Sequence, residues 1–295
     1  MPTPLTTAAE LASVIEDPSL RVVDCRWYLD DVARAPNEYR SGHIPRAVFA
    51  SLDDDLTAPS GPGRHPLPSP EQFARTVERL GITLDTAVVV YDDVGGSFAA
   101  RLWWMLTDQG HEHTSVLDGG IQAWVAHGGA LSTSPVRPAA GGMPTGPWRR
   151  AVDRDAVAAR AEGVVVVDAR AGERYRGEVE PLDPVAGHIP GAVSLPQLDN
   201  LTDSLTLRSS ADLRRRFESV GATDPERVIV YCGSGVTSCH IILAMEVAGV
   251  GRPLLYPGSW SDWSTSGLPV ATGTEPRPRG TRRRWRSLSR RPSGR

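Results

Sequence analysis

The sequence predicts an α/β protein made of two tandem copies of one domain, each a parallel sheet with helices on both faces. Three observations carry this. The chain has 295 residues, and at about 150 residues per domain that points to two domains. Four motifs recur in the same order, at offsets of 144, 145, 140 and 139 residues. Short β-branched runs alternate with helical stretches, the pattern of buried parallel strands joined by crossover helices.

The repeated elements run as follows. Val22-Val23-Asp24-Cys25-Arg26 is answered by Val166-Val167-Asp168-Ala169-Arg170, and Gly42-His43-Ile44-Pro45-Arg46-Ala47 by Gly187-His188-Ile189-Pro190-Gly191-Ala192. Val88-Val89-Val90-Tyr91-Asp92 matches Val228-Ile229-Val230-Tyr231-Cys232, and Leu117 to Trp124 matches Tyr256 to Trp263. Pro70 to Leu80 and Ala211 to Val220 read as helices, the first with Ser69 as N-cap and Pro70 at the first helical position. The first copy is expected over residues 5–131 and the second over 149–272, joined by a Pro/Gly/Ser/Thr-rich linker at 132–148. Thr57 to Ser69, also rich in Pro and Gly, reads as an ordered loop or flap. The segment 273–295 is arginine-rich, lacks periodicity and is expected to be disordered.

Composition excludes several classes. With 40% hydrophobic and 23% charged residues the chain is neither collagen-like nor disordered. It contains no lysine, which removes Schiff-base chemistry, pyridoxal phosphate anchoring and the P-loop lysine. The net charge is −3, but Glu275 to Arg295 holds nine arginines against one glutamate, a net +8 that leaves −11 on the rest. An acidic body argues against nucleic acid as the main partner. No apolar run reaches the length of a membrane span, and Met1 to Leu20 lacks the features of a secretory signal, so a cytoplasmic protein is expected. Cys25, Cys232 and Cys239 are an odd number and read as reduced thiols. No Cys/His spacing suits a metal and no dinucleotide fingerprint exists, so no cofactor is expected.

The sharpest local feature is Val228-Ile229-Val230-Tyr231-Cys232-Gly233-Ser234-Gly235-Val236-Thr237-Ser238, an apolar strand, a small-residue loop opening with cysteine, and then an apolar helix. Ligands of open α/β sheets sit at such strand ends. Gly233 and Gly235 let the backbone curl so that amides from Gly233 through Thr237, with the helix N-terminus, surround the sulfur and hold it as thiolate or persulfide. The bland alternative is a buried structural cysteine, against which the Gly-Ser-Gly turn speaks by exposing the thiol. A cysteine phosphatase needs arginine where Ser238 stands, and lacks its phosphate clamp here. A thiol protease needs a histidine base that no local signature supplies. Sulfur transfer needs a low-pKa cysteine and a donor-lined cradle, and both are present.

The tandem Gly-His-Ile-Pro-x-Ala motifs, the paired Asp-x-Arg segments and the Cys-Gly-Ser-Gly-Val-Thr loop together resemble the two-domain rhodanese family of sulfurtransferases, from Leu5 to Ala271. The resemblance implies a rhodanese-like fold in each half and catalysis in the second, with Asp92 standing where the first copy lacks the cysteine. The uncharged loop is similar to the 3-mercaptopyruvate subtype, whereas thiosulfate enzymes of the vertebrate type resemble Cys-Arg-Lys-Gly-Val-Thr. Arg174 matches the family arginine that binds the donor anion, with a structural ion pair as the alternative. A second arginine common in the mercaptopyruvate enzymes falls at Leu182, a departure that predicts looser carboxylate binding. Ser234, His65 and Asp53 match a Ser–His–Asp relay of that subtype, with a solvated loop histidine as the alternative for His65. Trp27 matches an aromatic at the domain interface, and His43 and His188 are expected to be structural.

The expected activity moves sulfur from a small anionic donor, 3-mercaptopyruvate or thiosulfate, through a Cys232 persulfide to a thiol, cyanide or thioredoxin-like acceptor. Arg174, Gly233, Gly235, Val236 and Thr237 are expected to bind the donor. A non-catalytic persulfide carrier is the alternative of a different class. No nucleic acid or membrane partner is expected.

Overall fold

The structure, a computed structural model, describes residues 3–274; the predicted tail from Glu275 onward lies outside the described residues. The first copy holds five strands, β1 (Leu5–Thr6), β2 (Leu20–Asp24), β3 (Val48–Phe49), β4 (Ala87–Tyr91) and β5 (Thr114–Leu117). They form one parallel sheet in the order β1-β5-β4-β2-β3. The second copy holds β6 (Val165–Asp168), β7 (Val193–Ser194), β8 (Val228–Tyr231) and β9 (Leu254–Leu255), parallel in the order β7-β6-β8-β9. Its counterpart of β1 is a single parallel bridge between Ala151 and Leu255. Register is shared by the copies: Val23 faces Val90 in one, and Val167 faces Val230 in the other.

The repeated motifs have a common physical cause. In the first copy Arg26 grips Asp24 with Nη2 at 2.6 Å and donates to the Gly42 carbonyl at 2.8 Å. Tyr91 donates to Asp24 at 2.8 Å, and its hydroxyl accepts the Ile44 amide at 3.2 Å. In the second copy Arg170 holds Asp168 at 2.6 Å and the Gly187 carbonyl at 2.6 Å, while Tyr231 accepts the Ile189 amide at 3.2 Å. Asp-x-Arg thus clamps the Gly-His-Ile turn to the strand ends. All four charged residues are buried, so each ion needs its partner. The turn histidines are structural as expected. His43 lies 2.7 Å from the Tyr39 carbonyl and 3.1 Å from that of Ser134, and His188 lies 2.7 Å from that of Tyr175.

Capping follows the sequence. The helix Pro70–Leu80 starts at Ser69, whose side chain accepts the Gln72 amide, and ends at Gly81 with φ +67°, a conformation glycine adopts without strain. The second predicted helix spans Ser210–Glu218. The segment 132–148 lies along the first copy rather than hanging free. Ser132 bridges His43, Gly142 bridges Thr83, and Trp148 stacks on Trp104 and donates to the Pro68 carbonyl at 2.9 Å.

What brings the copies together is a pair of equivalent helices, Ala99–Asp108 and Ser238–Val247, each following the loop at the end of its central strand. Eight or more residues of each are buried, and they pack on one another. A helix buried on every side is a core helix, and here one hydrophobic cluster runs from Leu102 and Trp103 through Ile241 and Leu243. Both strand-end loops therefore open into the cleft between the copies.

Replacing Asp24 by alanine leaves Arg26 buried without a carboxylate. The expected loss is about 3–5 kcal/mol, read from the urea-unfolding midpoint; a change within about 0.5 kcal/mol would refute the clamp.

Candidate active site

Cys232 stands at the carboxyl end of β8, an interior strand, and is held from behind. Its amide donates to Ser259 Oγ at 3.1 Å, and its carbonyl accepts the Trp260 amide at 3.0 Å. Ser259 takes a left-handed φ of +53°, where the first copy has Gly120 at +60°. The strained serine is retained where its hydroxyl anchors the cysteine. The sequence reading that the loop exposes the thiol is corrected: Cys232 is 1% exposed. Gly235 has φ +78°, and any side chain there would strike Pro257, so the turn folds down on the sulfur instead of lifting it out. The sulfur lies on the floor of a cavity of about 430 Å³ lined by both copies.

The cradle differs in detail from the expected one. The Gly235 amide donates to Cys232 Sγ at 3.1 Å. Burial pushes the thiol up. Interactions with the Thr237 and Ser238 side chains and with the Ser234 and Ser238 backbone outweigh it, and the thiol falls below its ordinary value of 9.0. Ser238 Oγ is buried and has no hydrogen-bond partner within ordinary distance among the described residues, the sulfur included. Ser238 thus belongs to the cradle, a role that the sequence reading missed by treating it only as a lost arginine. Gly233 and Val236 line the cavity, and Thr237 contributes its side chain.

The first copy offers an internal comparison. At the end of β4, Asp92 Oδ1 accepts the amides of Val94 (2.9 Å) and Gly96 (2.8 Å), and Oδ2 those of Phe98 (2.8 Å) and Ala99 (2.9 Å). The same strand–loop–helix therefore binds an anion there too, with a buried carboxylate filling the nest.

The loop Thr57 to Ser69 is an ordered strap across the cleft. Arg64 donates its amide to Ser261 Oγ at 3.0 Å, and His65 Nδ1 meets Ser234 Oγ at 2.8 Å. Burial pushes His65 down to about 4, so the ring is neutral near pH 7. Asp53 is close but does not complete a relay: its Oδ1 is 3.7 Å from His65 Nε2, too long for a hydrogen bond, and its Oδ2 accepts from Trp27 Nε1 at 2.9 Å. Trp27 in turn lies edge-on to His65 and Phe98 on the cavity wall.

Arg174 is both ion-paired and part of the cavity. It bonds Glu180 at 2.6 Å and Asp183 at 3.4 Å through Nη2. Arg64, from the other copy, pairs with Asp183 through Nη1. The remaining ends converge: a Cβ on Gly233 would sit 3.0 Å from Arg64 Nη2 and 3.5 Å from Arg174 Nη1. Neither nitrogen has an acceptor among the described residues. Arg64 went unnoticed in the sequence because nothing in the Pro/Gly-rich loop says which cleft it reaches. Leu182 lines the cavity and is 42% exposed.

Comparison with known proteins shows the family. A family model described as a rhodanese-like domain matches residues 7–127 and again 153–266. The chain belongs to the rhodanese family. A Pseudomonas aeruginosa protein named for 3-mercaptopyruvate sulfurtransferase activity is 43% identical over 281 residues, covering 91% of this chain and 98% of that one. A Mycobacterium tuberculosis protein named for thiosulfate sulfurtransferase activity is also 43% identical, over 282 residues, covering 92% and 97%. The solved 3-mercaptopyruvate sulfurtransferase of Leishmania major superposes with a TM-score of 0.79 at 31% identity, covering 90% of this rhodanese-family chain and 75% of that chain. Among the described residues no helix is long and apolar enough to cross a membrane.

Two histidines, His240 buried and His65 partly buried, make stability pH-dependent. His65 and His240 are both pushed down by burial from 6.5 to about 4. Unfolded, they take up protons near pH 6.5 that the folded protein refuses until about 4. Their contribution is whole above pH 6.5 and is lost as pH falls through that window. The urea midpoint should drop between pH 7 and pH 5, and His240→Gln should flatten the slope; an unchanged slope would show that His240 is not neutral when folded.

Proposed function

We propose that the protein is a sulfurtransferase that loads sulfur from a small anionic donor onto Cys232 and hands it to a thiol or cyanide. The observation that carries this is the sulfur itself, on a cavity floor with the Gly235 amide aimed at it from 3.1 Å. The Cys232 thiolate attacks the donor sulfur, the S–S bond forms, and the donor's bond to that sulfur breaks. With 3-mercaptopyruvate the C–S bond breaks, and the proton of the donor thiol ends on the methyl carbon of pyruvate. With thiosulfate, sulfite leaves. The persulfide keeps one negative charge in either case, so the cradle serves before and after transfer. An acceptor thiolate or cyanide then takes the outer sulfur and restores the Cys232 thiolate.

Arg174 Nη1 and Arg64 Nη2 are the proposed anion-binding ends for the donor, the second reached from the first copy in place of the arginine absent at Leu182. Mercaptopyruvate is the favoured donor. Its ketone has a partner in the Ser234–His65 pair beside Cys232, for which thiosulfate has no corresponding group. With His65 neutral, Ser234 Oγ can accept the Nδ1–H of the ring and donate its own O–H to the ketone or the forming enolate. Asp53 borders this pair without bonding to it. Thiosulfate remains the second donor, because relatives of equal identity carry both names. Leu29, Leu182 and Leu198 are exposed on the cavity wall and favour a protein thiol, such as a thioredoxin-like one, as acceptor. Three unpaired cysteines suit a reducing compartment, and the cytoplasm is the proposed location.

Steady-state kcat/KM measured with both donors tests the reading. The larger value is expected for mercaptopyruvate, with turnover on both donors abolished in Cys232→Ser. Ser234→Ala should lower mercaptopyruvate turnover about 10²-fold or more and spare thiosulfate. Arg174→Gln should raise KM for both donors. Full activity in Cys232→Ser would end the mechanism, and equal loss on both donors in Ser234→Ala would end the ketone role.

A further inference from the structure

Arg101 is a charge in an unusual place. It lies on the helix Ala99–Asp108 of the first copy, is 0% exposed, and has no carboxylate within salt-bridge distance among the described residues. Its guanidinium donates to three carbonyls, Nη1 to Gly235 at 2.9 Å, and Nη2 to His65 at 3.0 Å and Leu56 at 3.3 Å, with the Cys239 sulfur beside it. Its Nε is buried without a partner. Carbonyl dipoles solvate a cation but do not neutralise it, and an arginine stays charged even when buried. The nearby groups able to carry the opposite charge are the thiols of Cys239 and Cys232. Burial pushes Cys239 up to about 12, so that thiol is neutral. Cys232 is left.

We infer that Arg101 is a positioning residue of the sulfur site and its fixed counter-charge, supplied from the non-catalytic copy to the negative sulfur on Cys232. This rests on the reading of Cys232 as the sulfur carrier. One side chain sets both ends of the site. Through the Gly235 carbonyl it fixes the residue whose amide meets the sulfur, and through the His65 carbonyl it fixes the residue whose ring meets Ser234. The other charged or titratable groups around the sulfur are Arg64 and Arg174 above Gly233, His65 through Ser234, and Cys239 on the following helix. His240, further along that helix, faces the Gly95 carbonyl.

The test is the pH dependence of Cys232 alkylation by iodoacetamide in the full chain, mapped to the Cys232 peptide by mass spectrometry. Wild type, Arg101→Met and Arg101→Lys are compared, with circular dichroism to establish folding. The methionine variant should raise the apparent thiol pKa by about one unit or more. The lysine variant, which keeps the charge but cannot span three carbonyls, should titrate close to wild type while kcat on mercaptopyruvate falls. A folded Arg101→Met protein with the wild-type titration overturns the inference. If that variant does not fold, Arg101→Lys decides: titration at the ordinary thiol value would mean that geometry and not charge holds the sulfur. A wild-type Cys232 that itself titrates as an ordinary thiol counts against the sulfur-carrier reading, an outcome distinct from either.

Discussion

A negative atom inside a protein must be met by inward-pointing donors, and this requirement organises the whole molecule. Both copies satisfy it with the same strand, loop and helix. In the first, four amides close on the two oxygens of Asp92, and the carboxylate fills the space completely. In the second, the Gly235 amide meets a sulfur, the Thr237 and Ser238 side chains stand beside it, and a cavity is left above it. The duplicated fold therefore makes an anion nest first. Its chemistry depends on whether the anion is a fixed side-chain carboxylate or a sulfur that can take another atom.

The second constraint is that the site belongs to neither copy alone. The two helices that follow the nests pack face to face, which places the loop of one copy against the strap of the other. Arg64, His65 and Arg101 all come from the first copy, yet their hydrogen bonds end on Asp183, Ser234 and Gly235 of the second. The ordered lie of 132–148 along the first copy and the shared hydrophobic cluster keep the two halves in one arrangement. A shift between them would separate the histidine from the serine and the guanidinium from the loop together.

Much of this was legible in the residues. Repetition identified the fold because each motif ends a strand or turns the chain: Asp24, Arg26 and Gly42 recur as Asp168, Arg170 and Gly187 because each set closes the same clamp. Cys232 stood out because a small-residue loop follows an apolar strand. The remainder depended on contacts between distant residues, such as the 169 positions separating His65 from Ser234 and the 134 separating Arg101 from Gly235. The former pair was reachable only through family resemblance. Arg101 did leave a trace, as a lone charge in the run Ala99-Ala100-Arg101-Leu102-Trp103-Trp104. A charge amid residues that must all be buried needs a partner, and the run does not say where it is. Ser259 was hidden for a different reason: its left-handed backbone replaces a glycine, a substitution that composition and pattern give no cause to expect.

The most direct measurement of the central claim is intact-mass spectrometry with peptide mapping after exposure to one equivalent of donor, followed by an acceptor thiol. The account predicts a gain of one sulfur atom on the peptide containing Cys232, removed when the acceptor is added. No gain, or a gain located on Cys25 or Cys239, would contradict it.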